Sequence, residues 1–155
     1  MKSRILRTWR PLLVVACLPL LTACSSSSLS DPRSVVIAMF GAMEKDDKPA
    51  LVHLLDLPEL MRFYNEDYAL QTNTPRVFHN PEEILYDLTG EGETKRRWFS
   101  LQRIINKVDI SGETATVEVT FVDQDKSQGY RTKFGVHVVN GKWKIYSFKT
   151  VRSSH

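Results

Sequence analysis

Two thiols, four imidazoles and a few short acidic pairs are what this chain offers for chemistry. The thiols are Cys17 and Cys24. Cys24 follows Leu21-Thr22-Ala23 and precedes four serines. Small residues before it let the backbone enter a protease site, and a thiolate is the strongest nucleophile available for group attachment. The imidazoles are His53, His79, His137 and His155. Acid–base work needs such a group within hydrogen-bond reach of its substrate and with a tuned pKa. His53 sits between Val52 and Leu54 on a helix boundary, and His79 falls in a loop. His137 alternates with Val136 and Val138, so it shares the solvent face with Arg131 and Lys133, and His155 is terminal. None of them pairs recognisably with an Asp, so no catalytic residue is expected. Asp46, Asp47, Asp56, Asp123 and Asp125 read as helix caps and a hairpin loop. No HxxxH, HxH or EF-hand spacing is present, and no metal or cofactor is expected.

The surroundings of Cys24 give it a role. Lys2, Arg4, Arg7 and Arg10 crowd the first ten residues, and residues 11–23 carry no charge. That is the pattern of a secretory leader. Thirteen residues of helix reach about 20 Å, short of the roughly 30 Å hydrocarbon core, and Pro11 and Pro19 disfavour a regular span. The run Leu21-Thr22-Ala23-Cys24 resembles a bacterial lipoprotein signal. The resemblance implies diacylglyceryl attachment at the Cys24 sulfur and cleavage between Ala23 and Cys24. It also implies insertion of the acylated Cys24 in a lipid bilayer. Each buried acyl CH₂ contributes ~0.8 kcal/mol, so two or three chains hold where one is marginal. Ser25 resembles the outer-membrane sorting class rather than the Asp of retained lipoproteins, so a periplasm-facing place on the outer membrane is expected. Residues 1–23 are then the signal peptide and 24–30 the lipidated Cys and tether. The tether's serines bury almost nothing, and its six residues reach about 20 Å.

Removing the leader also removes Cys17, leaving no free thiol, no disulfide and no Cys-ligated metal. It leaves 17 basic and 18 acidic residues in a chain that carries 21 and 18 in full. A near-neutral domain is a poor partner for nucleic acid, whose binding depends on phosphate neutralisation.

Residues 31–151 form one domain, with a tail at 152–155. Asp31-Pro32 starts a helix with Val36, Met39, Phe40 and Met43 on one stripe. Asp47 caps a second helix burying Leu51, Leu54 and Leu55, and a short piece runs from Pro58 to Tyr64. Asn80-Pro81 starts another, which Gly90 and Gly92 interrupt or end. Lys95-Arg96-Arg97 reads as a solvated helix end or as a contact for anionic headgroups or glycans. From residue 101 the period changes to two. Ala115, Val117, Val119 and Phe121 share one face of a strand, and Tyr130, Phe134, Val136 and Val138 one face of the next. Asn140-Gly141 then turns into a last strand over Lys142–Val151. Helices followed by about four antiparallel strands make an α+β layout.

This element order, ending in Gly141-Lys142-Trp143-Lys144-Ile145, resembles the nuclear transport factor 2-like (cystatin-like) superfamily over residues 31–151. The resemblance implies a strongly curved sheet wrapping a helix, with a pocket at the mouth of the cone. Tyr64, Tyr68, Tyr86 and Trp98, from the helical half, are the expected pocket residues. Trp143 and Ile145 face one way on the last strand and Tyr146 and Phe148 the other. Tyr146 and Phe148 are therefore expected on the outer sheet face, as a contact for a homodimer or another envelope protein. The expected function is a membrane-anchored periplasmic lipoprotein that binds a ligand or protein without transforming it. Two alternatives stand beside it. One is a small-molecule enzyme of the polyketide cyclase or dehydratase kind, using a pocket Asp and His. The other is a component of envelope assembly or secretion machinery.

Overall fold

A computed structural model describes residues 31–63, 77–126 and 128–151. The leader, Ala23, Cys24, the tether, Tyr64 and Tyr68 lie outside the described residues. Four helical starts follow from local chemistry. Helix α1 (Pro32–Glu44) begins with the Asp31 carboxylate accepting from the Ser34 N–H at 3.2 Å. Helix α2 (Lys48–Leu54) is capped by Asp47, which accepts from the Ala50 N–H at 2.9 Å. Helix α3 occupies 57–63 of the described residues, and the Asp56 carboxylate faces its first turn. Helix α4 (Pro81–Asp87) is capped by Asn80, and Glu83 reaches back to the His79 N–H at 3.0 Å. Each side chain satisfies an amide that the first helical turn leaves unpaired.

Helix α5 (Glu93–Phe99) starts at Gly92 with no side-chain cap of its own, and the buried Asp87 carboxylate receives the Thr94 N–H instead. Lys95-Arg96-Arg97 thus belongs to a helix, with Arg96 and Arg97 in its last turn. The turn between α1 and α2 is clamped to the turn between α4 and α5. Asp46, at φ 56°, accepts from the Gly90 N–H and from Lys95 Nζ.

Four strands form a meander in the order β1 (Gln102–Ser111), β2 (Thr114–Asp123), β3 (Gln128–Val139) and β4 (Lys142–Val151). Asn140 and Gly141 both adopt positive φ, at 52° and 73°, as the β3–β4 hairpin requires. Leu55 adds a parallel bridge to Ile145, and the Asp56 N–H donates to the Ile145 carbonyl at 2.8 Å, so the chain touches the β4 edge between α2 and α3.

Helix α1 packs against all four strands. Val35, Val36, Met39 and Met43 of α1 are fully buried, as are Val117, Val119, Phe121, Phe134, Val136 and Ile145 of the sheet. This is the expected α+β fold, helices on a curved antiparallel sheet of four strands. Among the described residues, no helix is long and apolar enough to cross a membrane.

The last strand departs from simple alternation. Gly135 pairs with Ser147 but Val136 pairs with Ile145, so Tyr146 is an extra residue without a partner of its own. Such a bulge shifts the side-chain phase by one residue. Ile145 and Phe148 consequently both point inward, at 0% and 3% exposure. The expectation that Phe148 lies beside Tyr146 on the outer face is corrected: strict alternation holds only on either side of the bulge.

Candidate functional site

The interior of the cone is filled by aromatic rings from every layer. Trp98 of α5 lies 5.4 Å from Phe121, 5.5 Å from Phe134 and 5.3 Å from Phe148, between ring centroids. Phe40 of α1 closes the cluster at 5.8 Å from Trp98 and 5.8 Å from Phe134. Edge-to-face and offset pairs of this kind contribute about 0.5–1.5 kcal/mol each beyond their burial. Strand alternation supplies Phe121 and Phe134, helical spacing supplies Phe40, and the bulge supplies Phe148.

A cavity of about 450 Å³ remains where the C-terminal end of α5 meets the β2–β3 hairpin. Phe121, Tyr130 and Leu101 make its apolar floor, and Arg97, Lys126, Asp123 and Gln128 its polar wall. Tyr130 stacks on Phe121 at 5.1 Å, and the Arg97 guanidinium lies 4.7 Å over the Tyr130 ring. Burial pushes the Tyr130 phenol above its ordinary pKa, with Arg97 and Trp98 opposing the shift in part. Its Oη is covered and has no hydrogen-bond partner among the described residues. Lys126 is engaged with Asp123 at 3.1 Å, and it holds that carboxyl below its ordinary range. Arg97 has no carboxylate within ion-pair distance among the described residues, so one cation stands available beside an apolar floor. The arrangement suits a small amphipathic anion.

A second constellation lies on the opposite side of the sheet. His137 Nε2 sits 2.9 Å from Asp56 Oδ2. Strand β3 points His137 outward, and the edge bridge from Leu55 to Ile145 brings Asp56 alongside β4 to meet it. The Tyr146 ring lies 4.7 Å from the imidazole, and Phe63 packs on Tyr146 at a tilt, 5.4 Å between centroids. Asp56 also faces the Glu59 N–H at 3.5 Å. Both assignments made from sequence, a helix cap and an outer-face imidazole, describe their residues, but neither anticipates the contact between them. Among the described residues, no three His, Cys, Asp or Glu converge to hold a metal.

The expected pocket residues separate. Trp98 is in the aromatic plug, 5% exposed, while Tyr86 is 61% exposed on the outer side of α4, where it borders a shallow groove with Lys48, Glu82 and Glu83. Tyr86 therefore cannot line the cone. It follows Ile84 and Leu85, which take the inward positions of a helix of seven residues. Tyr146 is half-buried against Phe63 and His137, and Phe148 is core. Tyr130 was not expected at a site, and Arg97 only as part of the Lys95-Arg96-Arg97 surface contact, not of a cavity. A cation one residue before a buried Trp, and a Tyr opening an alternating strand, are the signals that could have marked them.

Many solved structures share this architecture. One named Rd1NTF2_05 superposes with a TM-score of 0.51 at 15% identity, covering 77% of this chain and 95% of that one. A nuclear transport factor 2-like protein of unknown function from Silicibacter pomeroyi gives 0.49 at 13% identity, with 77% and 90% covered. A candidate dehydratase of the nuclear transport factor 2-like family from Streptomyces avermitilis gives 0.49 at 16% identity, with 78% and 93% covered. No family model matches the chain, and no curated protein is similar to it. The likeness to the first of these, with a TM-score above 0.5, shows the fold alone, a nuclear transport factor 2-like cone, and fold does not fix function.

Proposed function

We propose that this chain is a lipid-anchored envelope protein whose cone-shaped domain binds a small amphipathic anion or a partner protein without transforming it. One observation carries the non-catalytic reading. The interior of the cone is occupied by Phe40, Trp98, Phe121, Phe134 and Phe148, while the Asp56–His137 pair lies outside it on the far face of the sheet. The cavity beside the plug offers Arg97 for charge and Phe121, Tyr130 and Leu101 for an apolar body. Lipid attachment draws support from Leu21-Thr22-Ala23-Cys24 and the serines after it, and Ser25 supports the outer membrane. Residues 24–155 with Cys24→Ser provide the material for a ligand test. Thermal shift with short-chain and aromatic carboxylates should raise the midpoint, and Arg97→Ala should remove that response without unfolding the domain. No response to any carboxylate, or an equal response in the variant, would reject this cavity as the site. Metabolic labelling with palmitate tests the anchor, and an unmodified Cys24 sulfur on an intact leader would end that part.

The 2.9 Å contact between Asp56 and His137 favours a second reading, acid–base chemistry of the dehydratase or cyclase kind. That reading requires a turnover lost on both Asp56→Ala and His137→Ala and retained in Arg97→Ala.

A further inference from the structure

The charge of this domain is divided between its layers. Among the described residues, 31–63 and 77–100, which hold the helices, contain 7 basic and 11 acidic residues, and 101–151 contain 8 and 5. Within 128–151 the division is complete: Arg131, Lys133, Lys142, Lys144 and Lys149, with no Asp or Glu. All five lie on one face. On β3, Phe134 and Val136 point inward, so Arg131, Lys133 and His137 point outward. On β4, Lys142 and Lys144 alternate with Trp143 and the buried Ile145. Strict alternation would then send Lys149 inward, but the extra residue at Tyr146 returns it to the outer face, directly across from Lys133. Like charges placed opposite one another work against strand pairing. Here neither lysine has a carboxylate within ion-pair distance among the described residues, and both are exposed. Negative charge on this face is sparse. Glu118 of β2 lies 3.7 Å from Arg131, and Asp56 is held by His137.

We propose that the outer face of β3 and β4 is a docking surface for an anionic lipid bilayer. The inference rests on reading the chain as membrane-tethered, since a tether of a few residues would keep the domain within about 20 Å of headgroups. Full extension is about two Debye lengths of 8–10 Å at ordinary salt, so the patch acts when the tether brings the domain closer than that limit, as a flexible chain does for much of the time. The face also carries Tyr146, with Val139 and Val151 partly exposed. Cations interspersed with an aromatic ring and aliphatic side chains suit the boundary between headgroups and acyl chains. The acidic helical layer turns away from that surface by the same repulsion. Docking therefore sets the orientation of the domain, which a flexible tether alone does not.

The test uses residues 24–155 with Cys24→Ser, so that no lipid contributes. Among the described residues the core runs from Val35 to Phe148, all within the tested span. Cosedimentation is measured with vesicles of phosphatidylcholine alone and of phosphatidylcholine mixed with phosphatidylglycerol. Binding is expected only to the mixed vesicles, with release at high salt. Lys149→Glu changes the face by two charges and should weaken binding about 25-fold, at about five-fold per charge. The same change replaces a like-charge pair with an opposite-charge pair across from Lys133, so it should raise thermal stability. A purely structural role would not move the two readouts in opposite directions. Lys45→Glu, an equal charge change on the helical side, should leave vesicle binding near its original value. Equal binding to both vesicles, or equal loss in the two variants, overturns the proposal. Retention on soluble polyphosphate without vesicle binding assigns the face to another polyanion and overturns it too. Mass analysis of Cys24 reports on the anchor separately, so failure of one reading is distinguishable from failure of the other.

Discussion

Trp98→Ala tests whether the cone is filled or open. Trp98 is 5% exposed and in ring contact with Phe40, Phe121, Phe134 and Phe148. These partners come from one helix and three strands, so the site cannot collapse by moving one element. Truncating a buried Trp costs about 3–5 kcal/mol, and this site should lie near 4. Unfolding entropy near 2.1 cal/mol/K per residue gives roughly 0.25 kcal/mol/K for a domain the size of residues 31–151. Together these predict a fall in Tm of about 16 °C. The vacated space is indole-shaped and apolar. Indole at ten times its Kd should return about 1.4 kcal/mol, or roughly 6 °C, to the variant and nothing to the parent. Differential scanning calorimetry reads both quantities. A fall below about 3 °C, or an equal response of the parent to indole, would refute the packed interior and with it the chief support for a non-catalytic domain.

Gly92→Ala should destabilise the domain although its φ of −56° suits alanine. The new Cβ would collide with the carbonyl oxygens of Asp87 and Tyr86, both of them backbone. Moving backbone costs about 3 kcal/mol against ~0.5 gained from the unfolded chain, so urea titration should show a net loss near 2.5. Asp46→Asn keeps a residue tolerant of positive φ but removes the ion pair with Lys95. The bonds from Lys95 and then from the Gly90 N–H hold the Asp46 carboxyl below its ordinary value of 3.8. Its contribution is therefore complete above the unfolded value and fades as pH falls through the lower folded value. Acid titrations of parent and variant should differ at neutral pH and converge toward strong acid, and a constant difference would contradict the assignment.

The parts legible in the sequence were those fixed by short-range chemistry. Asp31, Asp47 and Asn80 each cap the helix their side chains announce, and Asn140-Gly141 turns the hairpin its φ values require. Period-two patterning put Ala115, Val117, Val119 and Phe121 together on the buried face. What failed depended on partners distant in the chain. No local signal marks Tyr146 as an extra residue, because a bulge is defined only against the neighbouring strand, and this misplaced Phe148. Asp56 and His137 are 81 residues apart and meet only because Leu55 bridges to Ile145. Tyr86 was assigned to a pocket as an aromatic residue of the helical half, whereas its place on α4 follows from which two neighbours face the core. The cavity at Arg97 and Tyr130 needed the α5 end and the β2–β3 hairpin to be placed side by side.

The Leu55 bridge also governs how this sheet can grow. A meander ordinarily exposes hydrogen-bonding groups along both outermost strands, and filaments lengthen by using one on each side. Here the Ile145 carbonyl is already taken by the Asp56 amide, which interrupts that side midway. Continuous pairing is left to β1, whose own ladder shifts register between Ile105 and Val108. Among the described residues that leaves one continuous border, and a molecule with one such border joins one neighbour and then stops, so edge pairing would terminate at pairs instead of running on into fibres.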